Sequence, residues 1–313
     1  MCRRPPAFGR ACVARQNQAR LFGVLGDPVD HSLSPAMHNA AFAAAGLPHV
    51  YLRYRVPAAL LPDAVREAKA LRMGGLNLTV PLKEIVLPLL DALTQEAERI
   101  GAVNTVLFPP GGRTVGDNTD GRGFLAALRG RVRLSGARAL VIGAGGSARA
   151  VGAALCQVGA ARITIANRTP ARAEGLAERL GRLGAGATAA VPLAALERGQ
   201  GLEDATLVVN TTPLGLAGSG PRVRYAAAPR GCLFVDLVYG ARPTPFLAGA
   251  ARAGRPTLGG AHMLLHQGAL AFEAWTGRRA PRAAMARALR AAGLALTLPA
   301  GAATVAARRP PTR

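Results

Sequence analysis

Residues 137–160 read ARALVIGAGGSARAVGAALCQVGA, an apolar run that passes through three glycines straight into a helical pattern. No spacer separates strand from helix. Such a unit belongs in a parallel sheet, because a strand feeding a helix must return on the same side to lay down the next strand. RITIANRT (162–169) supplies that next strand, and ATLVVNTTP (205–213) and CLFVDLVY (232–239) supply two more, each ending in polar residues. This is a doubly wound α/β pattern, in which ligands bind beyond the carboxyl ends of the strands.

The N-terminal half alternates in the same way. LFGVLGDPV (21–29) reads as a buried strand that ends in a turn at Gly26, Asp27 and Pro28. SPAMHNAAFAAAG (34–46) reads as a helix with Ser34 as N-cap, Pro35 at the first helical position and Gly46 as the stop. VYLRYRV, LPDAVREAKALRMGG and LNLTV follow as strand, amphipathic helix and strand, with a further helix from about Pro81. The expectation is a second, largely parallel sheet covered by helices.

The glycine turn suits a dinucleotide. Gly143 permits a tight turn, and the bare backbones of Gly145 and Gly146 let N–H groups approach a pyrophosphate at a helix N-terminus. Glycine turns also occur for packing alone, but here the strand–turn–helix context is right. The end of the second strand selects the cofactor. An NAD site wants an acid there for the ribose hydroxyl, whereas this chain has Asn167, Arg168, Thr169 and then Arg172. Guanidinium groups and short polar donors suit a 2′-phosphate, so NADP is the expected cofactor.

Other motifs leave their meaning open. In NLTVPLKE (77–84), Lys83 could be a solvated lysine or a proton-transferring one. In GDNTDG (116–121), Asp117 and Asp120 could be turn formers or partners of such a lysine. HSLSP offers Ser32 and Ser34, with no Gly-x-Ser-x-Gly elbow to make either a nucleophile. The five histidines form no metal-ligand spacing.

The formal charge of +22 suggests nucleic acid until it is located. Five arginines fall in residues 1–20 and eight in 276–313, with no acid in either stretch, leaving +9 for residues 21–275. No aromatic cluster interleaves with these bases, as a base-stacking platform would need. A moderately basic body instead suits anionic small molecules. Cys2, Cys12, Cys156 and Cys232 form no CxxC pair, consistent with a reduced interior. The uncharged stretch 291–307 is short for a membrane span and broken by Pro299, and is read as a poorly ordered tail.

Together the motifs resemble those of the shikimate dehydrogenase family, in order from about Leu21 to Arg290. The marks are HSLSPAMHNAAF (31–42), NLTVPLKE (77–84), GAVNT (101–105), GDNTDG (116–121), GAGGSAR (143–149), NRTPAR (167–172), DLVYG with TPF (236–246) and MLLHQGALAF (263–272). The resemblance implies NADP-dependent reduction of 3-dehydroshikimate to shikimate, with Lys83 and Asp120 as the catalytic pair. It implies Ser32 and Ser34 at the substrate carboxylate, and Thr79, Asn104, Asp120, Gln267 and nearby Tyr239 around the ring hydroxyls. Cofactor contacts map to Gly143, Ala144, Gly145, Gly146 and Ser147, to Asn167, Arg168, Thr169 and Arg172, and to Leu237 and Gly260. His262 stands where the family commonly has glycine.

The implied layout is a basic extension (1–20), a substrate-binding and catalytic domain (21–119 plus about 263–290), an NADP-binding Rossmann domain (120–262) and the tail (291–313). The expected protein is a cytoplasmic monomer or homodimer that binds a small molecule, with no specific nucleic acid and no membrane. Two alternatives carry different expectations: a quinate/shikimate paralogue, and a non-enzymatic nucleotide-binding regulator.

Overall fold

The computed structural model describes residues 18–216 and 218–296. Most of the expected N-terminal extension, the expected tail from residue 297, and Cys2 and Cys12 lie outside the described residues.

Two six-stranded sheets form the framework, in strand orders β2-β1-β3-β5-β6-β4 and β12-β11-β10-β7-β8-β9. The first is built from β1 (Leu21–Gly26), β2 (Val50–Arg55), β3 (Gly75–Leu78), β4 (Ala92–Leu93), β5 (Thr105–Leu107) and β6 (Val115–Asp117). Strands β2, β1 and β3 run parallel as the alternation predicts. Beyond them the sheet departs from the parallel expectation: β5 is antiparallel to both β3 and β6. The link from β5 to β6, residues 108–114, holds no helix. A short link of that kind joins antiparallel neighbours, since a parallel return needs a crossover of a dozen residues or more.

The second sheet contains β7 (Arg138–Ile142), β8 (Arg162–Asn167), β9 (Thr188–Pro192), β10 (Leu207–Asn210), β11 (Leu233–Asp236) and β12 (Thr257–Leu258). All its pairings are parallel. The order reverses between β7 and β10, which is the switch point where doubly wound sheets open a crevice.

Side-chain alternation explains its two cores. Ala139, Val141, Ile163, Ile165, Leu207, Val209, Leu233 and Val235 face one side, against helices Gly146–Gln157 and Pro170–Arg182. Leu140, Ile142, Val208 and Phe234 face the other, with Phe246, Leu247 and Ala250 of helix Pro245–Arg252. A sheet covered on both faces must be apolar on both, hence the near-continuous apolar runs of these strands.

The last helices return to the first sheet. Leu265, Ala269 and Phe272 of Ala261–Thr276 and Met285 and Leu289 of Arg282–Ala291 join Phe22, Met37 and Phe42 in one core. Leu294 and Leu296 are buried in the same core. The tail expected from residue 291 is therefore packed at least to Leu296. The other face of the first sheet buries Leu61 and Val65 of helix Leu61–Ala70 against Leu76 and Leu78. Among the described residues no helix is long and apolar enough to cross a membrane.

Helix Asp120–Leu128 connects the sheets. Its Phe124 and Leu128 enter the core of the second sheet, while Gly123 lies against the backbone of Gln267 in Ala261–Thr276. A cleft is left between the carboxyl ends of β1 and β3 and the turn after β7.

Candidate active site

A cavity of about 260 Å³ occupies this cleft. Its walls include Ser32, Ser34, Thr79, Lys83, Asn104, Asp120, Ser147, Leu237, Tyr239, Gly260 and Gln267. Every residue expected at the substrate and both expected catalytic residues thus converge on one space. So do Ser147, Leu237 and Gly260 from the cofactor group.

Lys83 and Asp120 are 37 positions apart yet bonded, with Lys83 Nζ donating to Asp120 Oδ2 at 2.6 Å. Lys83 sits in the short helix Leu82–Ile85 after β3, and Asp120 opens the helix after β6. Their side chains are only 13% and 5% exposed, so the pair is largely removed from water. A buried charge left without its partner is strongly destabilising, so loss of either side chain would leave the other uncompensated.

The pair is held from several sides. Asn104 Nδ2 donates to Asp120 Oδ1 at 2.7 Å, and its Oδ1 accepts from the Thr119 backbone N–H at 2.8 Å. Asn118 Oδ1 accepts from the Asp120 N–H at 3.0 Å, while its amide donates to the Ala102 carbonyl at 2.8 Å. The GDNTDG turn is thus both a backbone clamp and a platform for one carboxylate. Lys83 also donates to Ser147 Oγ at 3.1 Å. An ammonium group has three donors, and Asp120 and Ser147 engage two, leaving one for an oxygen in the cavity.

The cavity wall also carries hydroxyls. Ser32 Oγ accepts from the Ser34 backbone N–H at 3.3 Å. Ser34 is the first residue of helix Ser34–Ala44, with Leu33 at the N-cap, so the expected capping role does not fall to Ser34. Its side chain turns instead to Tyr51, and Tyr239 hydrogen-bonds Ser32 and the backbone of Leu33. Burial raises both phenols above their ordinary range, so Tyr51 and Tyr239 stay neutral donors.

Two polar residues escaped the sequence reading. Tyr51 donates to Asn77 Oδ1 at 2.7 Å, and the Asn77 amide donates to the Asn104 carbonyl at 3.0 Å and to Thr105 Oγ1 at 3.2 Å. Asn77 lines the cavity, and Tyr51 supports it from behind. The only hint was an asparagine inside an otherwise apolar strand, which signals a satisfied buried amide.

The remaining cofactor candidates flank the cavity. Gly143 adopts φ +109°, which disfavours any side chain. A β-carbon there would lie 2.6 Å from Thr211 Oγ1, and one on Gly146 would lie 2.8 Å from Lys83 Cβ. The turn is bare because neighbours approach its backbone, and it opens helix Gly146–Gln157. Asn167, Arg168, Thr169 and Arg172 stand at the end of β8 and the start of its helix. Arg168 borders a shallower hollow with Pro192, Leu193, Leu214 and Arg222. Backbone N–H groups at a helix start, with exposed guanidinium groups one strand over, fit a phosphorylated dinucleotide. Gly260 is a glycine for packing, since a β-carbon would fall 2.2 Å from the Leu237 carbonyl oxygen. His262 is buried outside the cavity lining, and burial with Arg131 and His266 lowers it to about 4. Among the described residues no cluster of His, Cys, Asp and Glu could hold a metal ion.

A glycine turn at the switch point of a doubly wound sheet, facing a buried lysine–carboxylate pair, defines a nicotinamide-dinucleotide oxidoreductase. Residues 24–106 match the shikimate dehydrogenase substrate binding domain, residues 125–213 the shikimate / quinate 5-dehydrogenase family, and residues 260–290 the shikimate 5′-dehydrogenase C-terminal domain. The shikimate dehydrogenase (NADP(+)) of Methanopyrus kandleri is 46% identical over 269 residues, covering 84% of this chain and 92% of that protein. Shikimate 5-dehydrogenase of Thermus thermophilus, in complex with NADP(H) and shikimate, superposes with a TM-score of 0.75 at 43% identity, covering 87% of this chain and 99% of that one. Quinate dehydrogenase of Corynebacterium glutamicum, in complex with NAD, superposes with a TM-score of 0.77 at 32% identity, covering 87% and 99%. The chain belongs to the shikimate dehydrogenase family.

Proposed function

We propose that this chain reversibly reduces 3-dehydroshikimate to shikimate with NADPH. The observation that carries the reading is the buried Lys83–Asp120 pair, 2.6 Å apart, in a cavity also lined by Ser32, Ser34 and Ser147 of the glycine turn.

Ser32 and Ser34 present neutral donors that suit the substrate carboxylate, with the neutral phenol of Tyr239 nearby. Asn104, Thr79, Gln267 and Asp120 surround the ring hydroxyls. Gly143, Ala144, Gly145, Gly146 and Ser147 would hold the cofactor pyrophosphate, with Leu237 and Gly260 near the nicotinamide. Asn167, Arg168, Thr169 and Arg172 would hold the 2′-phosphate, and Asn167 is already turned back onto the Thr169 carbonyl at 3.0 Å.

Bound NADPH supplies the hydride. Lys83 points its remaining N–H donor at the ketone oxygen and stabilises the negative charge that grows there, then passes a proton to it. Asp120 keeps Lys83 aimed and accepts a hydrogen bond from the hydroxyl that results. Ser147 ties Lys83 to the cofactor side, so that substrate and cofactor halves share one alignment. The division at about Asp120 and Met263 into substrate and cofactor domains belongs to this proposal. So do the monomeric or homodimeric state and the cytoplasmic location, which light scattering and fractionation would test.

The deciding assay follows the reduced-nicotinamide absorbance with shikimate and NADP, with NAD and quinate in parallel and Lys83→Ala as control. Reduction of NADP by shikimate, lost in the variant, is the expected result. A preference for quinate or NAD would transfer the chain to the quinate-type paralogues. Cofactor binding without turnover would support the regulator instead.

A further inference from the structure

Glu84 follows Lys83 in the chain, but its carboxylate does not line the substrate cavity. It reaches across the cleft. Glu84 Oε2 lies 3.1 Å from Arg149 Nε, and Oε1 lies 3.3 Å from Arg172 Nη2. Both arginines belong to the nucleotide-side half, Arg149 in the helix after the glycine turn and Arg172 in the helix after β8. The same Nη2 of Arg172 donates to the Ala144 carbonyl at 3.3 Å. A β-carbon built on Gly145 would have Glu84 Oε1 as its nearest neighbour, at 3.8 Å. A carboxylate of the substrate half therefore stands directly over the dinucleotide turn.

It occupies the guanidinium group that the cofactor needs. Arg172 is one of two arginines placed to receive the 2′-phosphate, and carboxylate and phosphate compete for the same planar fork. We infer that Glu84 moderates NADP affinity, as a tethered anion that holds Arg172 until the 2′-phosphate of NADP displaces it. This rests on assigning the 2′-phosphate to Arg172. NAD, with a hydroxyl at that position, has no anion with which to take Arg172 from Glu84. After displacement Glu84 keeps Arg149, so a bridge across the cleft persists with cofactor bound. The exchange lowers intrinsic NADP affinity and leaves the affinity for NAD, which has no phosphate to make it, almost untouched.

Arg172 is 57% exposed, so the competing pair is a water-screened one and its effect is modest. The test is calorimetric titration of the full chain at low ionic strength with NADP, with adenosine 2′,5′-bisphosphate and with NAD. Glu84→Gln keeps the size and removes the charge, and Glu84→Asp keeps the charge but shortens the reach. Glu84→Gln should tighten NADP and the bisphosphate by about two- to fivefold, with Glu84→Asp in between and NAD little changed. In an Arg172→Ala background the gain should vanish. Unchanged or weaker NADP binding in Glu84→Gln, an equal gain for NAD, or a gain that survives Arg172→Ala would each overturn the inference. If Arg172→Ala alone leaves NADP affinity intact, the assignment of the 2′-phosphate to Arg172 fails first and takes the inference with it.

Discussion

Gly146 and Lys83 touch across the cleft: a β-carbon on Gly146 would lie 2.8 Å from Lys83 Cβ and 3.2 Å from its Cδ. The third glycine of the dinucleotide turn is thus also the floor on which the lysine rests. Gly146→Ala should leave the fold intact and push Lys83 off Asp120. Overpacking of this kind typically costs about 1–3 kcal/mol of stability, and displacement of Lys83 from the reacting oxygen should lower kcat by about tenfold or more, with unchanged near-ultraviolet dichroism. A fully active Gly146→Ala enzyme would show that the two halves can part without loss.

Lys83→Ala should lower kcat by about 100- to 10,000-fold, the usual range for a proton-transferring group, and raise the shikimate KM much less. Ser147→Ala removes one of the two protein hydrogen bonds from Lys83 but leaves the Asp120 pair, so a loss of only a few-fold is expected in steady-state assays. Equal losses in the two variants would count against a separate chemical role for Lys83.

Arg168→Ala and Arg172→Ala should each raise the KM for NADP by about tenfold while leaving that for NAD nearly unchanged. Charge-assisted bonds contribute about 1.5–3 kcal/mol, reduced here because both side chains are exposed. Parallel initial-rate measurements with the two cofactors check this. A matching rise for NAD would place these arginines on the pyrophosphate.

Stability should rise with pH between about 4 and 6. His38 is fully buried, stacked on Tyr51 at 4.5 Å, and burial lowers it from 6.5 to about 3. His262 is lowered from 6.5 to about 4. Each binds a proton on unfolding in that window, so each contributes stability that is lost as pH falls below 6.5. Asp236 has the opposite sign: burial raises it from 3.8 to about 6, so it is protonated when folded and releases its proton on unfolding. His49 and His266, also lowered by burial, add to the uptake, so against the one proton released by Asp236 the net uptake is at least about one, a slope of at least about 1.4 kcal/mol per pH unit in urea unfolding. His38→Leu should flatten that slope, and a slope that stays the same would remove His38 as its source.

Much of this protein was legible in its sequence because local physics wrote it there. The apolar runs around Val141, Ile165, Val209 and Val235 alternate between two cores, which only a sheet covered on both faces requires. Gly143 needs a positive φ at a strand-to-helix turn, and the missing acid beside Arg168 and Arg172 is a matter of charge alone. These constraints act within one strand and its following turn, so composition and spacing suffice to read them.

Long-range contacts were a different matter. Nothing within 77–84 says that Lys83 meets Asp120, and family likeness alone suggested it. The antiparallel β5, the cross-cleft reach of Glu84, the tyrosine–asparagine pair behind the cavity and the burial of Leu294 and Leu296 depend on segments far apart in the chain. Ser34 reads as a cap from its neighbours, yet its hydroxyl goes to Tyr51, which sits on β2. Hydrogen bonds and ion pairs are decided by what arrives within about 3 Å, and which groups arrive depends on how two sheets pack around a shared helix, a global outcome that no local pattern encodes.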